Sequence, residues 1–243
     1  MHIFMLVSLM SPALAETVGK AYPPPPGAHR IEDDAFGAWL QELPLRPTNA
    51  VIRTHDGRGV AHDGRPVAMP LVRGDLQQCA DSALRLRAEF LRVHGAEKEI
   101  SFHATSGDPI PWTRYRDGET PYARGNRLHW RTVEPTTQTW DGWLTKVFMW
   151  AGTRSLAAYE TRAVGQPQAG DVLVVGGSPG HAVVLLDVAT RGDEVLLLIG
   201  EGYMPAQDFH VEHGPVGGWW VWSEDGVDLG HWRMPPSSLR RWN

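Results

Sequence analysis

Three short aliphatic runs, Asp171 to Val175, His181 to Val188 and Glu194 to Ile199, are separated only by the turn sequences GGSPG and ATRGD. Runs of this length bounded by glycine-rich turns read as strands, and connections this short join antiparallel neighbours. An antiparallel meander is therefore expected in the C-terminal third. The Trp-rich segment Gly217 to Trp222, GGWWVW, is expected to add a further strand.

A helix is expected ahead of the meander. Asp75 with Gln78 three residues on has the form of a capping box, and Cys79, Ala83, Leu86, Phe90 and Val93 recur at helical spacing along one apolar face. A shorter helix through Trp39 and Leu40, capped by Asp33 or Asp34, is expected to end before Pro44. Another runs from Thr139 to Trp150 with Trp143, Val147 and Trp150 on one face, ending at Gly152. The two His-Asp-Gly-Arg copies, His55 to Arg58 and His62 to Arg65, read as a duplicated turn. Residues 100–138 read as a turn-rich surface insertion that could hold a strand.

The first fifteen residues carry an apolar stretch, Ile3 to Met10, then Pro12 and Ala13-Leu14-Ala15, the small-x-small pattern of a signal peptide cut after Ala15. Residues 16–30, with Pro23 to Pro26, read as an extended proline-rich spacer, and residues 31–243 as one domain. No later run approaches a membrane span. A periplasmic or extracellular protein is expected. The net charge of −5 and the scattered basic residues argue against a nucleic-acid partner. Exported proteins usually pair their cysteines, whereas this chain has only Cys79, a thiol that must be buried or used.

Cys79 falls in the first turn of its helix, where free N–H groups and the macrodipole favour a thiolate. The same position suits a core residue, since cysteine is among the most buried residue types. The Gly170-Asp171 strand feeding the Gly180-His181 strand, after a helix begun by a cysteine, resembles the NlpC/P60 and CHAP papain-like cell-wall amidases and peptidases. Over nearly the whole chain, the blocks Asp75 to Asp81, Ala151 to Thr153, Gly176 to Val183 and Tyr203 to Asp208 resemble a bacterial envelope family catalogued as domain of unknown function 4846, which implies no established activity. The papain-like resemblance implies an α+β fold, a helix packed on an antiparallel sheet, with Cys79 as nucleophile and His181 as base. Residues 100–138 and the second helix would then be insertions. It also implies a third group from the next strand: Glu201, flanked by glycines, is the first choice and Gln207 the reserve.

Two other chemistries are weaker. Gly176-Gly177-Ser178-Pro179-Gly180 satisfies a G-x-S-x-G string, but Pro179 has no N–H to donate to an oxyanion and a strand pattern follows in place of a helix. His210, Glu212 and His213 lack helical periodicity and the H-E-x-x-H order, so neither a metal nor another cofactor is expected. The expected function is that of a secreted cysteine hydrolase acting on a cell-envelope amide such as a peptidoglycan stem peptide. The alternative is a non-catalytic envelope protein that binds glycan or a protein partner through its Trp-rich surface, with Cys79 in the core.

Overall fold

The computed structural model describes residues 16–243, so the expected signal segment lies outside the described residues. The chain forms an α+β structure on a nine-stranded antiparallel sheet. Its strands are β1 (His29–Arg30), β2 (Arg65–Pro66), β3 (Thr161–Ala163), β4 (Val172–Val175), β5 (His181–Arg191), β6 (Glu194–Glu201), β7 (His210–Val211), β8 (Trp220–Trp222) and β9 (Leu239–Trp242). The order is β2-β7-β6-β5-β4-β9-β3, with β1 added to β5 and β8 to β6.

The central strands read as unbroken aliphatic runs because both sheet faces are covered. Val172, Val174, Ala182, Val184 and Leu186 pack in one cluster with Ala83, Leu86 and Phe90 of the helix α2 (Cys79–Val93), which follows α1 (Ala35–Gln41). Leu173, Val183, Leu185, Leu197 and Ile199 pack on the other face with Val227, Leu229 and Met234. A shift of register between Leu198 and Ile199 interrupts the alternation. Asp171 pins β4 to β9 by a two-pronged bond to Arg241, at 2.7 and 2.8 Å. The third long helix, α3 (Trp140–Trp150), is capped by Thr139, whose Oγ1 accepts the Gly142 N–H at 3.0 Å.

Several expectations are corrected. Residues 16–30 are no free spacer: Val18 is fully buried and Trp219 donates its indole N–H to the Pro23 carbonyl at 3.1 Å. The cap of α2 is Gln78, not Asp75; Asp81 Oδ2 accepts the Gln78 N–H at 3.1 Å. Asp75 instead accepts the Ala206 N–H at 2.6 Å, tying the helix start to the segment after β6. Val93, at the end of the helix, is exposed. Residues 100–138 include buried Phe102, Ile110 and Trp112, which pack with Trp143 in the core, so only part of that stretch is surface. Ala151 ends α3, while Gly152 begins the next helical turn. The first His-Asp-Gly-Arg copy is a turn closed by Gly57 N–H on Thr54 O at 2.8 Å, but the second runs extended into β2.

Gly202 leaves β6 beneath the first turn of α2. A Cβ there would collide with Ser82 Oγ and stand 3.1 Å from the Gln78 carbonyl oxygen, so a side chain at this position would have to push the helix start aside. Gly202→Ala is expected to cost about 1–3 kcal/mol, read as a lower urea midpoint.

Candidate active site

Sheet register brings two of the expected residues together. Gly200 pairs with Val184, so the next rung sets Glu201 opposite Val183, with His181 its diagonal neighbour on the same face. His181 Nε2 lies 2.8 Å from Glu201 Oε2, and the two residues are 2% and 3% exposed, an ion pair almost wholly withdrawn from water. Cys79, the first residue of α2, is half-buried and close enough to His181 to help raise the pKa of that ring, with no hydrogen bond between the two side chains among the described residues. The three expected residues therefore converge. Gln207, the reserve choice, is buried and bridges to Thr54, with no hydrogen bond to His181 among the described residues.

A fourth residue, absent from the sequence reading, completes the cluster. His231 stands at the tip of a hairpin formed by Val227–Asp228 and Arg233–Met234, where Gly230 takes a left-handed φ of 84°. Its Nε2 lies 3.1 Å from Glu201 Oε1, so the carboxylate sits between two imidazoles. Trp232 and Tyr203 flank His181, with ring centroids 5.2 and 5.4 Å from it.

Burial alone would lower the His181 pKa, but Cys79 and Glu201, with the charge on both, hold it at about 9. Burial would raise Glu201, yet bonds to His181 and His231 hold its carboxyl well below the usual carboxylate range. At neutral pH the site therefore contains an imidazolium against a carboxylate.

Asp81 lies two residues beyond Cys79. Burial pushes its carboxyl up to about 8 against the pull of the Gln78 and Asp81 backbone amides, and its Oδ1 has no hydrogen-bond partner among the described residues. Its folded pKa exceeds the unfolded value, so its contribution to stability is complete below about pH 4 and is lost as pH rises through about 8. Asp81→Asn keeps an acceptor for Gln78. It is expected to remove much of the fall in thermal midpoint between pH 5 and 9, in melts across that range.

Beside Cys79 opens a groove of about 560 Å³, lined by Leu76, Gln78, Phe148, Thr153, Met204 and the Gly177–Gly180 turn. Thr153 Oγ1 meets both Gly177 N and Gly177 O at 3.3 Å, holding that turn against the groove wall. Ser178 is exposed on the turn, and strand β5 follows where a serine elbow would need a helix. His181, Glu201 and His231 each offer an atom to a common point, their donors within 4.8 Å of one another, so they could hold a metal ion. An ion there would occupy the nitrogen that now bonds Glu201.

The arrangement defines an α+β protein with a cysteine, a buried histidine and a buried glutamate gathered at one end of an antiparallel sheet. The chain belongs to the family described as domain of unknown function (4846), whose model matches residues 18–241. No curated protein and no solved structure matches the chain.

Proposed function

We propose that the protein is a papain-like cysteine hydrolase, exported from the cell, that cleaves an amide of the cell envelope such as a peptidoglycan stem peptide. The observation that carries this reading is the 2.8 Å bond from His181 Nε2 to Glu201. It fixes the ring and leaves Nδ1 for Cys79 at the head of a helix and the edge of a groove.

In this mechanism His181 holds the proton of Cys79, whose sulfur attacks the carbonyl carbon. The first-turn N–H groups of α2, which have no intrahelical acceptor, stabilise the oxyanion. His181 passes its proton to the leaving amine, and the thioester is hydrolysed by water deprotonated by the same ring. Glu201 acts as a positioning residue, orienting His181 and compensating its charge.

The Trp-rich binding alternative gains little from the geometry. Trp219 is fully buried, and Trp220 and Trp222 pack against the second core cluster. Among the described residues no helix is long and apolar enough to cross a membrane.

Purified protein incubated with peptidoglycan sacculi and with soluble stem peptides tests the proposal. Mass spectrometry is expected to find one new amine and one new carboxyl terminus per cleaved bond, and an acyl adduct on Cys79 after rapid acid quench. Intact peptides together with unacylated Cys79 would overturn the substrate class.

A further inference from the structure

A second cluster lies beside the first and has no part in the proposed hydrolysis. His62, His210 and Glu212 each present one ligand atom, all within 4.8 Å of one another. Strand pairing builds it: β2 sets Arg65 against Val211 and Pro66 against His210, so the residues just before β2 lie across β7. Gly64 passes so close that a Cβ would strike the His210 ring, which fixes the path of the loop carrying His62. His210 and Glu212, two apart on an extended segment, point to the same side.

The hydrogen bonding of His210 is that of a ligand held ready. Its Nδ1 lies 2.9 Å from the Asp208 carbonyl oxygen and donates to it, which orients the ring and aims Nε2 at Glu212. That nitrogen faces Glu212 Oε1 at 2.9 Å inside the protein, with His210 0% and Glu212 3% exposed. An Nε2 proton now joins the two, and an ion bound there would displace it. Among the described residues no Arg or Lys pairs with Glu212; its side chain meets only His210 and His62. Asp208 nearby, by contrast, is paired with Arg46 at 3.0 Å.

His62 Nε2 stands 3.5 Å from Glu212 Oε1, close to the separation of about 3.4 Å expected between two ligands each about 2.1 Å from a tetrahedral ion. His210 and Glu212 would need to part by about 0.5 Å to reach the same spacing. In the metal-free ring, His62 Nδ1 accepts the Gly64 N–H at 3.0 Å, so seating an ion on Nε2 moves the ring proton to Nδ1 and releases that amide. His62 is partly exposed and lines a cavity of about 320 Å³ with Val60, Tyr203 and His231, which gives an ion a way in and leaves an open coordination position.

We propose that His62, His210 and Glu212 bind one divalent first-row transition-metal ion, with zinc as the probe. Two imidazoles and one carboxylate suit such an ion better than the harder calcium or magnesium. The proposal stands independently of the cysteine chemistry.

The test uses the Cys79→Ala protein, so that no thiol competes, stripped with chelator and titrated with zinc against a chromophoric competitor. One equivalent is expected, with affinity at least about tenfold weaker in both His62→Ala and Glu212→Gln, and unchanged in Glu201→Gln. Because His62 is partly exposed, its variant should keep the fold, checked by circular dichroism and by loss of the zinc-induced rise in thermal midpoint. No stoichiometric binding, undiminished binding by His62→Ala, or loss in Glu201→Gln would each overturn the site.

Discussion

Cys79→Ala is expected to lower kcat/KM for amide cleavage by at least about a thousandfold while leaving the thermal midpoint within a few degrees of the parent. The sulfur forms the acyl intermediate, so its loss removes the covalent route and leaves only binding and oxyanion stabilisation. The side chain is half-buried at a groove edge and its helix is capped by Gln78 and Asp81, so truncation leaves the scaffold intact. Cys79→Ser tests the same point with a weaker nucleophile of similar size and should be nearly as inactive. Activity within tenfold of the parent would remove Cys79 from the reaction.

Glu201→Gln should lower kcat by about 10²- to 10⁴-fold, as when the acid that orients a catalytic histidine is made neutral. The amide is isosteric but cannot compensate an imidazolium, and it offers a donor as well as an acceptor to His181 and His231. The pH behaviour separates this role from simple packing. His181 is held at about 9 partly by Glu201, so the alkaline limb of the activity profile should move acidward by about one unit or more in the variant. Stability should change in the same sense. A histidine raised in the folded state contributes stability that is complete below its unfolded value of 6.5 and is lost as pH rises through about 9. The parent should therefore lose stability across that window, and Glu201→Gln should lose less. A profile scaled down without any shift would make Glu201 only a packing residue.

The meander was legible because its strands are covered on both faces and joined by short turns, so continuous aliphatic runs stand out against GGSPG and ATRGD. Glu201 was legible for a related reason: an acid between two glycines at the end of such a run has few roles in packing. The cap of α2 was misread because Asp75 is the better cap by residue type, whereas its carboxylate is taken by the Ala206 amide, distant in sequence. The proline-rich segment was misread likewise, since its docking depends on Trp219, which approaches it from the other end of the chain.

His231 and His62 carry no periodic signal, and each reaches its cluster through a turn or strand edge that only the folded chain brings near. A faint trace did exist. His210 and Glu212, two residues apart, suit one side of an extended strand, whereas the sequence reading weighed His210 against His213 by helical spacing. His213 is exposed and lies outside the cluster.

The rate at which iodoacetamide alkylates Cys79 in the native protein, followed against pH beside His181→Ala, tests the central claim most directly. The account predicts reaction in the folded state, at a rate and with a pH dependence that the His181 substitution changes. A thiol that stays silent until the protein unfolds, or a profile that the His181 substitution leaves in place, would contradict it.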